Sequence, residues 1–194
     1  MNIIKDYLPI NMYSRPGSKR PETKVVTWHW VQNPMTSAKF NRDWFASAPQ
    51  RKKYGSTHYL IDLNGDIIND IPDEEVSHDC GSAGKIDPVS GKLYTDLARK
   101  IFGKYTLDPW TPSYTTISIE LCHLDWNGKF TDATLQSLIE LTVSLFNKYD
   151  SLIDPMTQIL RHHDVVGWKD CPKWFVDHPE DFEEKKRQVL ARLA

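Results

Sequence analysis

The chain is expected to fold as one α/β domain, because β-branched and aromatic segments alternate along it with segments apolar at the helical period. Three stretches dictate this. KVVTWHWV, Lys24 to Val31, is the composition of a buried central strand. THYLIDL and DIINDI flank Asn64-Gly65, a strong hairpin-turn signal. Between Thr131 and Tyr149, Leu135, Leu138, Ile139, Thr142, Leu145 and Phe146 form a helical stripe that needs a sheet to cover.

Taken in order, residues 1–23 hold Pro9, Pro16, Gly17 and Pro21 among polar neighbours and read as an extended arm laid over the domain. Lys24 to Val31 is the first strand, with His29 near its end, where side chains of open α/β sheets face a cleft. Phe40, Trp44 and Phe45 recur at helical spacing behind a Thr36 or Ser37 cap. The Asn64-Gly65 hairpin follows, then the loop SHDCGSAG, Ser77 to Gly84. Residues 85–114 are a polar, proline-containing insertion with a helix around Asp96 to Phe102; so long a segment is expected to serve a site rather than a core. TTISIELCHL, Thr115 to Leu124, alternates as a strand should, apart from Glu120 in its apolar part. MTQILRH reads as a short strand running into RHHDVVGWKDCPKWF, and Pro179 to Leu193 as a closing amphipathic helix. The result is a central sheet with helices on both sides.

Composition excludes several functions. At 194 residues the chain is long enough for a core without disulfides. A net charge of -2 with mixed signs argues against nucleic acid as a partner. No apolar run approaches the length of a membrane helix, so no membrane insertion is expected. Cys80, Cys122 and Cys171 are an odd number and read as reduced thiols of a protein made in a cytoplasm, and MNIIKDYLPI, with an early Asp and no long apolar core, is not expected to act as a signal peptide.

Chemistry concentrates in Arg161 to Phe175, which holds two histidines and a cysteine within a short span. Imidazole and thiolate are donors that zinc accepts well, and three protein ligands would leave a fourth position for water. The plainer alternative is a buried thiol beside a surface imidazole. His29, between Trp28 and Trp30, is either a satisfied core histidine or a third ligand. Glu120 inside ISIELC needs a partner: an ion pair, or a water on a metal. His123 and His178 read as surface residues.

In these stations the sequence resembles the zinc-dependent N-acetylmuramoyl-L-alanine amidases of the type 2 family, which includes phage endolysins, bacterial autolysins and peptidoglycan recognition proteins. The matching residues are TWHW around His29, STHYLIDLNGDI, VSHDCG around His78, SIELC around Glu120, and RHHDV with KDCP. They occur in the family's order across residues 24–175. The resemblance implies a central mixed sheet flanked by helices, with one zinc ion per chain in a surface groove. It implies His29, one of His162 and His163, and Cys171 as ligands, with Glu120 and Lys169 catalytic. His163 keeps the family's commoner spacing to the cysteine. The register R-H-x-D-V selects His162, with Trp168 as a one-residue insertion, and register is the harder of the two to shift. His162 is therefore the expected ligand.

His78, His58 and Trp110 are candidates for binding substrate. The implied partner is bacterial peptidoglycan and the implied reaction hydrolysis of the amide between N-acetylmuramic acid and L-alanine, in cell lysis or wall remodelling. Residues 1–194 would be one catalytic domain without a wall-binding module, acting on the cell wall as a phage or prophage endolysin or an excised domain. Two other functions compete: a recognition module that binds peptidoglycan without cutting it, and a hydrolase using Cys171 as nucleophile with a neighbouring histidine as base.

Overall fold

Six strands form a single mixed sheet in the computed structural model of the chain, which describes residues 2–193. They are β1 (Ile3–Lys5), β2 (Val25–Trp30), β3 (Tyr59–Ile61), β4 (Ile67–Asn69), β5 (Thr116–Leu121) and β6 (Ile159–Arg161), in the order β1-β4-β3-β5-β2-β6. The pairs β3–β5, β5–β2 and β2–β6 are parallel, whereas β3 and β4 are the antiparallel arms of the hairpin. Helices are α1 (Ala38–Ala46), α2 (Ala48–Arg51), α3 (Asp96–Phe102), α4 (Asp132–Lys148), α5 (Pro155–Gln158), α6 (His162–Val166), α7 (Lys173–Asp177) and α8 (Pro179–Leu193).

Every residue of β2 is buried, as expected of a strand with parallel neighbours on both edges and packing on both faces. Alternation sends Val26, Trp28 and Trp30 to one side with Ile117, Ile119 and Leu121 of β5. There they meet Leu138, Ile139, Leu141 and Leu145 of α4 and Phe182 and Val189 of α8 in the main core. Trp28 sits 5.5 Å edge-on to Phe182 and 5.8 Å from Phe175. The helices start where side chains stop them fraying. Ser37 accepts from the Phe40 amide, Thr95 from Ala98 and Thr131 from Thr134, each capping a first turn.

The opposite face is built differently. Two apolar clusters lie apart on it, one around Val25, Phe102, Leu160 and Val165, the other around Ala38, Leu60 and Cys122. Thr27, Ser118, His58 and Asp79 occupy a polar strip linked by hydrogen bonds. This face carries the chemistry.

Some expectations change here. The N-terminal segment does more than lie over the domain: β1 pairs in parallel with β4, covering an edge the hairpin would expose. A bidentate Arg15–Glu75 pair, both contacts 2.7 Å, anchors the segment. The insertion 85–114 does supply core, since Tyr94, Phe102 and Tyr105 are buried in it. In MTQILRH only Ile159–Arg161 is strand, because Asp154 caps the helical turn α5 just before it. His123 is fully buried rather than at the surface, tilted against Trp30 at 4.6 Å. Its Nδ1 donates to the Asp125 carbonyl, so the local turn and Trp30 bury it together.

At the hairpin, Gly65 adopts a φ of +87° and a Cβ there would lie 2.9 Å from the Ala133 carbonyl oxygen. Helix α4 packs so close to the turn that glycine is required on both counts.

Candidate metal centre

Three strand ends converge on one spot. His29 is the penultimate residue of β2, Glu120 the penultimate residue of β5, and His162 follows directly on β6. All three strands run in parallel, so their carboxyl ends share one edge of the sheet, where open α/β sheets bind ligands. Pairing places Glu120 directly beside His29. The floor of the site is thus set by backbone register.

Cys171 arrives by a return loop. After α6, Gly167 takes a φ of +73° and turns the chain; a Cβ there would overlap Asp87. The His163 amide then donates to the Cys171 carbonyl at 3.0 Å, closing the loop. Cys171 Sγ ends 3.6 Å from His29 Nδ1. The donor atoms of His29, His162 and Cys171 all lie within 4.8 Å of one another, and all three residues are buried. His163 turns away instead: its Nδ1 donates to the Lys169 carbonyl oxygen at 3.1 Å. The structure brings His162, not His163, to the cluster.

The loop Asp79–Gly81 closes the other side. Asp79 Oδ2 lies 3.7 Å from His29 Nε2 and Cys80 Sγ 3.8 Å from the same atom. His162 Nε2 donates to the Gly81 carbonyl at 3.3 Å, and Lys169 Nζ is 3.5 Å from His162 Nδ1.

Burial and charge tune these groups in opposite directions. Burial opposes the His29 imidazolium, yet Cys171 and Asp79 on its two edges outweigh it and hold the ring well above the usual range. Burial would raise Asp79, but His29 holds it well below the usual carboxylate range. His162 is pushed well below the normal imidazole range, by burial first and then by Lys169 and His29. A neutral imidazole with a free lone pair is what a metal requires. Burial pushes the Glu120 carboxyl up to about 7, against the pull of His29 and Lys169. Its Oε2 is buried with no hydrogen-bond partner among the described residues.

A groove of about 760 Å³ opens onto this cluster. Trp44, Arg51 and Tyr54 line one wall, Thr111 and Tyr114 of the insertion the other, and Glu120, His162 and Lys169 its floor. His78 lines it too, donating from Nε2 to the Met12 carbonyl and standing edge-on to Tyr54 at 5.1 Å. Trp110 does not line the groove itself; it is 42% exposed and stands edge-on to the lining residue Tyr114 at 4.9 Å. His58 does not reach the groove. It is fully buried in the polar strip, with Nδ1 accepting from the Ser118 amide and Nε2 donating to the Glu75 carbonyl.

Two residues at the cluster carry no role in the sequence reading, Asp79 and Cys80. The Asp79 carboxylate is 1% exposed and accepts from the hydroxyls of Ser77, Thr27 and Thr116. The clue in the sequence was a second polar residue in SHDCG, beside the more conspicuous His78.

The family described as N-acetylmuramoyl-L-alanine amidase matches residues 18–174, most of the chain and every residue of the cluster. The chain belongs to that family. An amidase relative, BlyA of Bacillus subtilis strain 168, is 30% identical over 188 residues, covering 97% of this chain and 47% of its own length. CwlL of Bacillus licheniformis, also named an N-acetylmuramoyl-L-alanine amidase, is 24% identical, covering 100% and 48%. The chain thus spans about half the length of the curated amidases it matches. In fold, the chain is similar to the catalytic domain of XlyA, with a TM-score of 0.65 at 17% identity over 96% of this chain and 99% of that one. The PlyG catalytic domain gives 0.67 at 18% identity, over 100% and 96%. These likenesses agree with the single-domain mixed sheet.

Among the described residues no helix is long and apolar enough to cross a membrane.

Proposed function

We propose that the chain is a zinc-dependent peptidoglycan hydrolase acting on bacterial cell wall, cleaving the amide between N-acetylmuramic acid and the L-alanine of the stem peptide. The single observation that carries this is the meeting of His29, His162 and Cys171 donors within 4.8 Å, beside a partnerless Glu120 oxygen at the floor of a groove. Two imidazoles and a thiolate suit zinc, and three protein ligands are the number a catalytic zinc takes. The depressed His162 and the orphan carboxylate fit such an ion. Family membership supplies the identity of the bond.

His29, His162 and Cys171 would hold one zinc ion per chain. When bound, the ion supplies Lewis acidity toward the scissile carbonyl and toward a water. Glu120 Oε2, without a hydrogen-bond partner among the described residues and with a pKa of about 7, takes the proton of the attacking water and returns it to the departing amine at neutral pH. The Lys169 ammonium, half-buried at the groove floor, offsets the negative charge that develops on the carbonyl oxygen. His78 and the aromatic walls position the glycan and the stem peptide, with Trp110 behind Tyr114.

Mass spectrometry of digested cell walls tests this reading. Release of free L-alanine amino termini with intact glycan strands is expected, abolished by EDTA and restored by Zn²⁺. New reducing sugar ends, or cleavage within the stem peptide, would overturn the assignment of the bond. Activity indifferent to EDTA and lost to iodoacetamide would overturn zinc in favour of Cys171 as nucleophile.

A further inference from the structure

We infer that the loop Asp79–Gly81 is the positioning element of the metal centre, setting the tautomer of both imidazoles so that His29 and His162 each present Nδ1 to the metal. The inference rests on the zinc reading above and concerns how the ligands are aimed.

The two histidines come from different strands, yet the same three-residue loop meets the Nε2 edge of both. A carbonyl oxygen can only accept, so the 3.3 Å contact of His162 Nε2 with Gly81 requires the proton on Nε2 and leaves the lone pair on Nδ1, which Lys169 Nζ approaches at 3.5 Å. An ionised carboxylate also only accepts. In the neutral ring that a metal requires, Asp79 Oδ2, an electrostatic neighbour 3.7 Å from His29 Nε2, favours the proton on Nε2 and leaves Nδ1 facing Cys171 Sγ at 3.6 Å. Protein ligands of metals are commonly aimed this way, the second ring nitrogen donating to a carboxylate or a carbonyl.

Asp79 is itself fixed. Its Oδ1 accepts from Ser77 Oγ at 2.9 Å and Thr116 Oγ1 at 3.1 Å, its Oδ2 from Thr27 Oγ1 at 3.0 Å and Thr116 Oγ1 at 2.9 Å. All three hydroxyl residues are fully buried, Thr27 on β2, Thr116 on β5 and Ser77 two residues before Asp79. Donors from two neighbouring strands hold the carboxylate against the ring, so it cannot swing away. The same contacts decide between two uses of this side of His29. His29, Asp79 and Cys80 also have donor atoms within 4.8 Å of one another. Three buried hydroxyls already donate to the two Asp79 oxygens, however, with Thr116 shared between them, so the carboxylate is committed to orienting rather than ligating.

Long-range ¹H–¹⁵N correlation spectra of the zinc-loaded, otherwise unmodified protein test this directly. Protonated Nε2 and metal-shifted Nδ1 are expected for both His29 and His162. Ligation of His29 through Nε2 would overturn the inference while leaving the zinc reading intact, and no zinc binding at all would overturn that reading instead. Asp79→Ala is then expected to lower zinc affinity by about 10- to 100-fold in chelator competition. The visible absorption of the cobalt-substituted protein should change with it. Thr116→Val, which removes one of the three hydroxyl donors to Asp79, should give a smaller shift in the same direction, and it stands in if Asp79→Ala does not fold. Wild-type affinity and an unchanged cobalt spectrum in a folded Asp79→Ala protein would overturn the role of Asp79.

Discussion

His29 and Glu120 lie directly opposite each other on the parallel strands β2 and β5. Neighbours across a parallel pair project to the same face, so sheet pairing alone sets the proposed ligand beside the proposed base. A slip of β2 by one residue would send Trp28 or Trp30 into the site and His29 into the core.

Glu120→Gln keeps nearly the same shape and should retain zinc, while turnover on cell-wall substrate falls by about 100- to 10,000-fold. Turnover within a few-fold of the parent would make Glu120 structural.

The same variant should be more stable in zinc-free protein. The folded-state pKa of Glu120, about 7, lies above the ordinary 4.5. Its contribution is therefore fully present below pH 4.5 and is lost as pH rises through about 7, a cost of roughly 3 kcal/mol by pH 8. Urea midpoints of the two proteins should coincide near pH 4 and separate by pH 8, with Glu120→Gln the higher.

His162→Ala should abolish stoichiometric zinc binding, whereas His163→Ala should retain it, because His163 turns its ring to the Lys169 carbonyl. Metal analysis of both purified variants decides. Loss of zinc from the His163 variant alone would reverse the assignment.

Lys169→Ala should lower kcat with KM nearly unchanged, by about 2.7–4 kcal/mol if the ammonium acts on the developing oxyanion. Zinc content should survive. A raised KM at constant kcat would reassign Lys169 to substrate binding.

Asp70 is fully buried with both carboxylate oxygens unpartnered among the described residues, and burial pushes its pKa well above the ordinary 3.8. A raised carboxyl stabilises the fold most below its unfolded pKa and loses that contribution as pH rises toward the folded one. Asp70→Asn should therefore be near neutral at pH 3 and stabilising at pH 7. Thermal melts at the two values check this, and a destabilised variant at pH 7 would mean that the ionised carboxylate is held by a partner.

Local pattern was enough for most elements. Helix α3 and the closing helix α8 lie where they are expected, α4 covers the expected Thr131 to Tyr149 stripe, and of the two caps offered for α1, Thr36 and Ser37, it is Ser37 that caps. These signals act over a few residues, so a linear reading captures them. Short segments whose partners are distant were less legible. β1 exists because a hairpin edge lies open beside it, and His123 is buried because Trp30 covers it.

By itself, then, the sequence determined the element order, the central strands, the residue types able to hold a metal and the family stations in which they occur. Only the tertiary structure decided how they meet. His162 and His163 are adjacent and chemically identical; strand direction at the end of β6 and the turn at Gly167 choose which one faces His29. His58 carries the same imidazole, but its place opposite Ser118 commits both ring nitrogens inside the sheet. Asp79 acquires its place beside His29 only when Thr27 of β2 and Thr116 of β5 are paired. Residue type and periodicity are properties of neighbouring positions, whereas proximity in a site is set by register between strands far apart in the chain.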